Sequence, residues 1–393
     1  MKLESSVSHA VPHYRMRIVT SLSDIAAAEW NDLLAAQENA NPFLSYAFLH
    51  ALEESGSAVE KTGWQSCFIT IWDDKQLVAA LPLYEKSHSY GEYVFDWAWA
   101  RAYERHELSY YPKLLSAIPF TPVSGNRLLA RSDEGRLALI NILQELQTAG
   151  EYSSSHLLFL PEEEALLLNQ KGYLLRSGVQ FHWINQGYQS FEDFLSTLDK
   201  KKRKNIRSER RKVEEAGIQF LHLSGNDIQQ EDWLFFKSCY DQTYREHHSK
   251  PYLNLDFFLR IGSSMPEHIH LICALLNGNK IAASLLFHDD QRVYGRYWGC
   301  LEQHSCLHFE TAYYQAIEFC ILKKISIFEG GAQGEHKMAR GFLPTKTWSA
   351  HHLSHSEFAR AVSEFLERET GDVELYLNEL IDRIPYKSLK QLT

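Results

Sequence analysis

Four stretches of this 393-residue chain hold residues whose types and spacing could do chemistry. The most basic is Lys200–Lys212, KKKRKNIRSERRK, with nine cations and a single acid, Glu209. On a helix Arg203, Arg207, Arg210 and Arg211 fall at i, i+4, i+7 and i+8 and share a face. A row of guanidinium forks matches phosphate oxygens, so this helix is a candidate site for a diphosphate, a coenzyme or an RNA end. A solvated charged face is the plain alternative. The second stretch, Glu329–Gly341 (EGGAQGEHKMARG), follows a short apolar run. Its glycines, Gly331 and Gly334 among them, let the backbone approach a ligand closely. Glu329, Gln333, Glu335, His336, Lys337 and Arg340 crowd polar groups around it. Glu329, Glu335 or His336 could deprotonate an attacking ammonium, and Lys337 or Arg340 could hold a phosphate. A charged surface turn would read the same way.

The third set joins Tyr294, Arg296 and Trp298, on one face of a strand by alternation, to Glu310 and Tyr314, one turn apart on the next helix. A cation in such a strand needs a partner if it is buried, and Glu310 is the candidate partner for Arg296. Tyr314 or Tyr297 could protonate a leaving group. The fourth is the polar-aromatic segment 86–127, where His88, Tyr90, Glu92, Asp96, Tyr103, Tyr110, Tyr111 and Lys113 offer acids, bases and hydroxyls for a substrate. It has no period, and it reads as loop and cleft lining.

Several classes are disfavoured. There is no H-E-x-x-H, no cysteine pair at zinc spacing, no G-x-G-x-x-G, no P-loop and no G-x-S-x-G, so no metal is expected. Forty basic against fifty acidic residues give a net charge of −10, which argues against nucleic acid over the whole surface. Six scattered cysteines suggest reduced thiols rather than a disulfide framework. The first thirty residues lack an apolar signal core, and no run reaches the roughly 18–20 apolar residues of a membrane helix. A cytoplasmic protein is expected.

The elements that must position these residues occur twice in a similar order. In the first half, helices are expected near 23–36 and 43–56. A strand pair follows at Ser66–Trp72 and Leu77–Tyr84, then a helix at Glu134–Ala149, a strand at His156–Leu160, a helix at Glu162–Gln170 and the start of a strand at 172–175. In the second half one long helix is expected over Phe191–Gly217, a strand at Ile218–Leu223 and helices at Asp227–His248 and Leu255–Ser264. A meander His270–Leu276, Lys280–His288 and Val293–Trp298 turns at Asn277-Gly278-Asn279. A helix at Phe309–Leu322, a strand at Ile325–Glu329 and a helix at Glu357–Thr370 complete it. The fold class is α+β, with one domain over 1–180 and a second over 181–393, as the chain's length favours.

The stretches KSHSYGEYVFDWAWA, YYPKLLSAIPFTPVSGNRLL, KKRKNIRSERR, YGRYWGC, LHFETAYYQAIEFCI and EGGAQGEHKMARGF resemble a bacterial family of FemAB-like, GNAT-superfamily proteins described as peptidoglycan biosynthesis/recognition proteins. The resemblance runs from about Asn41 to about His352. It implies two tandem GNAT-like domains, each a mixed, mostly antiparallel sheet flanked by helices. It also implies N-acyl transfer to an amine, with an acyl-CoA-type donor and no covalent enzyme intermediate. The segment resembling Lys202–Arg211 lies near the phosphates of a cell-wall precursor in Fem-like proteins. The GNAT pyrophosphate signature R/Q-x-x-G-x-G/A is absent, and so is the long helical arm some Fem ligases use for tRNA. Two other readings remain: a non-catalytic recognition protein for a cell-wall precursor, and an aminoacyl-tRNA-dependent ligase.

Overall fold

The computed structural model describes residues 14–331 and 334–387. Its backbone is an eleven-stranded sheet. From one edge the order is Gln219–Ser224, Ile269–Leu276, Asn279–His288, Arg292–Cys300, Ile327–Glu329, Leu174–Ile184, Leu343–Leu353, Ser154–Leu160, Lys113–Ser116, Tyr84–Lys86 and Trp64–Ser66. A four-stranded sheet, Tyr14–Val19, Phe68–Asp73, Gln76–Leu81 and Leu129–Ala130, packs beside the first half. Among the described residues only two neighbouring strand pairs run parallel, one in each half: Lys113–Ser116 with Ser154–Leu160, and Arg292–Cys300 with Ile327–Glu329. All other pairs are antiparallel. The repeated layout expected from the sequence is therefore present as α+β architecture.

The second-half meander forms where its turn chemistry demands. Asn277 (φ 52°) and Gly278 (φ 80°) join Ile269–Leu276 to Asn279–His288, and a two-residue hairpin loop of this kind needs positive φ at both positions. The long helix expected over 191–217 is two helices, Phe191–Thr197 and Lys200–Glu215. Leu198 between them is extended (ψ 157°) and fully buried, and it bridges to Tyr386. Burying that leucine outweighs one continuous helix.

Segment 86–127 is not a loop throughout. It contains the helix Trp97–Arg105 and the strand Lys113–Ser116, and Lys86, Glu92, Asp96 and Lys113 are buried. The late helix extends to Asp382. Leu174–Ile184 runs through residue 180 without interruption, flanked by Ile327–Glu329 and Leu343–Leu353, both from the C-terminal part of the chain. One hydrophobic core also spans both halves: Phe43 packs on Phe287 and Tyr294, with ring centroids 4.9 and 5.1 Å apart. All six cysteines are unpaired. No described helix is long and apolar enough to cross a membrane.

Candidate active site

The parallel pair of the second half meets only briefly. Arg292, Val293 and Tyr294 pair with Ile327, Phe328 and Glu329; the short strand then ends, while its neighbour continues to Cys300. Gly295 is required at the parting point, because a Cβ there would lie 2.9 Å from the Phe328 ring. The register to Asn279–His288 shifts at this level, from Leu285↔Tyr297 to Leu286↔Gly295. Arg296 is thus a bulge residue with no partner opposite, and bulges commonly re-aim a side chain.

The Arg296 guanidinium is buried, with Nη2 3.1 Å from Glu329 Oε2, and Arg292 Nη1 holds Glu329 Oε1 at 3.0 Å. Arg296 therefore pairs with Glu329 and not with Glu310 as the sequence suggested. Glu310 instead binds Arg210, whose Nε lies 3.2 Å from both carboxylate oxygens, and it accepts from Gln315 Nε2 at 2.8 Å. Burial raises the Glu310 pKa against the pull of Arg210.

Between the parted strands lies a cleft of about 250 Å³, lined by Arg296, Tyr297, Trp298, His308, Ala312, Tyr313, Phe328 and Gly330. A second chamber of about 240 Å³ shares Gly295–Trp298 and adds Tyr240, Tyr244, His247 and Gly331, with Tyr93, Phe120 and Thr121 from the first half. Arg296 Nε, the Tyr297 hydroxyl and Thr121 Oγ1 are buried without a hydrogen-bond partner. Buried polar groups are normally satisfied, so these atoms are available to a ligand. Burial pushes the Tyr297 hydroxyl well above its usual range, which keeps it protonated.

The helix over this cleft is irregular. Leu307–Phe309 leads into a π-turn, Glu310–Tyr314, and then Gln315–Lys323. π-turns are frequent at functional sites. Tyr313 and His308 line the cleft. Tyr314 points to the opposite side, where its hydroxyl donates to Glu209, itself bound by Arg340 Nη2 at 2.9 and 3.0 Å. Burial drives the Tyr314 pKa far up and the His308 pKa down to about 4, so at neutral pH His308 is uncharged.

The glycine-rich segment divides. Gly331 (φ 83°) lines the second chamber. Gly334 (φ 118°) precedes a short 3₁₀ turn, Glu335–Arg340. Gln333 lies outside the described residues. Glu335 is exposed, and its carboxylate accepts from Tyr376 (3.0 Å) and pairs with Arg383 (2.8 Å), contacts that lower its pKa. His336 Nε2 lies 3.3 Å from the Tyr313 hydroxyl. Lys337 is buried behind the diglycine: its Nζ donates to Gly331 O at 3.1 Å, and a Cβ on Gly330 would meet its stem at 3.3 Å. Burial, with Arg296 nearby, brings the Lys337 pKa down to about 7. Arg340 is buried and lies 3.4 Å from the Phe309 ring centre.

The basic helix forms as expected, but its arginines diverge. Arg210 is tied to Glu310 and Glu318, Arg207 to Glu192, and Arg203 Nη1 donates to Ser196 O at 3.4 Å. Arg211 is exposed. The four do not form one open row.

The comparisons with known proteins agree with this architecture. A family profile described as FemAB-like, peptidoglycan biosynthesis/recognition, matches residues 21–388. The chain belongs to the FemAB-like family. Among solved structures it is similar to FemX, with a TM-score of 0.55 at 10% identity, covering 86% of this chain and 98% of that one. L-PGS from Bacillus licheniformis gives 0.53 at 10% identity over 87% and 97%. The C-terminal domain of a putative lysylphosphatidylglycerol synthetase from Agrobacterium fabrum gives 0.54 at 9% identity over 87% and 95%. At such identities the likeness is one of fold. No protein of curated function matches the sequence.

In this FemAB-like chain the first-half residues form a different kind of centre. Lys113 Nζ donates to Glu92 (2.8 Å), Ser89 (2.8 Å) and Asp96. Tyr110 donates to Asp96 at 2.7 Å, and His156 Nδ1 lies 2.7 Å from His351 Nδ1. Burial raises Glu92 to about 7, while Asp96, although buried, is held well below the usual range by Lys113. Ser89 also bonds Tyr111 at 2.8 Å. His88 and Tyr90 sit at the rim, with Tyr90 exposed. None of these expected substrate residues lines the cleft or its second chamber. Tyr93, one residue past Glu92, does.

Proposed function

We propose that this FemAB-like chain is a transferase that moves an acyl group from an activated donor to an amine in the cleft between Arg292–Cys300 and Ile327–Glu329. The observation that carries this reading is the parted parallel pair, with a fixed guanidinium and unpaired polar atoms around one gap, and Lys337 buried behind the diglycine that forms part of its wall. The amine attacks the donor carbonyl directly. The buried donors left unpaired at this bulge, Arg296 Nε and the Tyr297 hydroxyl, receive the oxyanion, where fixed dipoles are most effective. Lys337 takes the ammonium proton, since a base works best with a pKa near the working pH. Glu329 is committed to two guanidiniums and Glu335 to the surface, so neither serves as the base. His336 acts through Tyr313.

The donor assigned first is an acyl-CoA-type thioester, with the exposed cations of Lys200–Glu215 near its phosphates. An aminoacyl ester on tRNA, the donor that the resemblance to Fem ligases implies, is the second reading. The acceptor amine belongs to a peptide or cell-wall precursor, in keeping with the family's description. The test is transfer from labelled acyl-CoAs and aminoacyl-tRNA to a panel of amines. Turnover that falls about a hundredfold in Lys337→Met supports the reading. Tight precursor binding with no turnover from any donor would make the chain a recognition protein instead.

A further inference from the structure

Two aromatic residues of the second chamber hold a backbone conformation that bulky side chains rarely adopt. Tyr93 has φ 63° and Phe120 φ 61°. Such outliers are costly and gather at ligand sites. Their two segments are locked together. Phe120 N donates to Gly91 O at 3.1 Å, and a Cβ on Gly91 (φ 83°) would lie 2.6 Å from the Phe120 ring. Phe120 also stacks on Tyr252, with ring centres 4.7 Å apart.

Tyr93 is anchored from both sides. Before it, Glu92 accepts from the buried Lys113 Nζ at 2.8 Å, and Lys113 also binds Asp96. Two residues after it, Phe95 O accepts from Arg176 Nη1 at 2.7 Å, and Glu369 fixes Arg176 through two contacts of 2.7 and 2.6 Å. The buried charged centre of the first half thus holds the segment 92–96 in place. The Tyr93 hydroxyl interacts with Tyr244, another residue of the chamber lining.

Tyr93 also lines a larger cavity, of about 530 Å³. This cavity lies over the sheet face at Gly178, between Tyr93–Phe95 and the last helix at Glu369 and Val373. Gly178 keeps it open: a Cβ there would meet Thr347 Oγ1 at 3.1 Å and nothing else within 4 Å. The two spaces adjoin, because Gln180 Nε2 from the cavity lining donates to Pro122 O of the chamber lining at 2.8 Å. The chamber alone, about 240 Å³, is smaller than the roughly 300–1,000 Å³ of ordinary ligand pockets. The cavity offers Phe159, Trp348 and Val373, and its charges Arg176 and Glu369 neutralise each other. It suits an apolar chain.

We propose that Tyr93 is the wall that sets the length of the acyl group in the transfer proposed above, the reading on which this role rests. Arg296 and Tyr297 line both the cleft and the chamber, so a carbonyl held by them has the chamber behind it for its chain. The amine nitrogen bonds to that carbonyl carbon as the donor's C–S or C–O bond breaks. The ammonium proton passes to Lys337, and the leaving sulfur or oxygen is protonated. Tyr93 meets only the far end of the chain. With its ring in place the chamber takes short, uncharged acyl groups; without it the chain continues into the cavity over Gly178.

The test compares the full chain with Tyr93→Gly, which suits a positive φ, and with Tyr93→Phe, which keeps the ring. Melting temperatures are recorded for each. Calorimetric titration with 1-octanol should show at least tenfold tighter binding to Tyr93→Gly than to the other two. Adding Gly178→Val, which fills the cavity beyond, should abolish that gain. Equal binding by all three, or a gain that survives Gly178→Val, overturns the proposal. In transfer assays the ratio of kcat/KM for octanoyl-CoA over acetyl-CoA should rise at least tenfold in Tyr93→Gly and stay at the wild-type value in Tyr93→Phe. An unmoved ratio in an active Tyr93→Gly enzyme overturns the wall and leaves the transferase reading standing. No transfer from any donor, with octanol binding as expected, would overturn the transferase reading and leave Tyr93 as the partition between the two spaces.

Discussion

Arg296 and Glu329 form a buried ion pair, 3.1 Å from Nη2 to Oε2, at the point where two parallel strands separate. One residue is a bulge and the other ends its strand. The pair therefore fixes both edges of the cleft at once. Removing one partner of such a pair strands the other charge in a medium of low polarity. Glu329→Gln should lower stability by about 3 kcal/mol, read by denaturant unfolding. A loss below about 1 kcal/mol, the range of surface pairs, would show that the pair does not hold the strands.

Lys337 gives a prediction with a sign. Its folded pKa lies near 7, well below the unfolded value. Between that pH and the unfolded pKa the unfolded chain binds the extra proton, so stability rises with pH across this window and is lowest below it. Lys337→Met should raise the melting temperature more at pH 6 than at pH 9. As a base, Lys337 should also give transfer activity that climbs through about pH 7, and Lys337→Arg, permanently charged, should not restore it.

His156 and His351 bear on acid stability. Burial lowers both, His156 to about 3 and His351 well below its usual value. Below the unfolded histidine pKa the unfolded state binds protons that the folded state refuses. Stability is therefore fully present above about pH 6.5 and is lost as pH falls. Two such groups should give a slope near 2.7 kcal/mol per pH unit between about pH 4 and 6. A flat profile there would show that the pair is already protonated in the fold.

Glu335 and Tyr313 were separated by structure, not by residue type. Glu335→Ala removes a surface contact to Tyr376 and Arg383 and should change transfer less than about threefold, with stability altered by under about 0.5 kcal/mol. Tyr313→Ala enlarges the cleft and frees His336, and should reduce transfer by at least tenfold. The reverse ranking would return the chemistry to Glu335.

The meander was legible because Asn277-Gly278 announces a turn and the flanking residues alternate. The helix Leu255–Ser264 was legible in its apolar period. The strand Leu343–Leu353 was not foreseen, since Pro344, Lys346, His351 and His352 interrupt its alternation; His351 is buried only because His156 and Ser349 bond it. Lys113 and its carboxylates looked like loop residues for the same reason: mutual pairing lets charge enter the core. Tyr314 stood out in the sequence because it lies one turn from Glu310 on a helix face. It does, but that face packs on the basic helix, through Glu209 and Arg210. His308 and Tyr313 carried no signal beyond their place in the aromatic motif. Arg296 was recognised as needing a partner, and the sequence could not show that Glu329 would lie beside it.

The most direct test of the transferase reading is activity in a chain whose cleft is filled. Ala312 lines the gap between the parted strands, and Ala312→Phe places a ring in that space. The account predicts that the variant keeps a cooperative melt and loses transfer from every donor that the wild type uses. Undiminished transfer in a folded Ala312→Phe protein would contradict it and place the reaction elsewhere in the molecule.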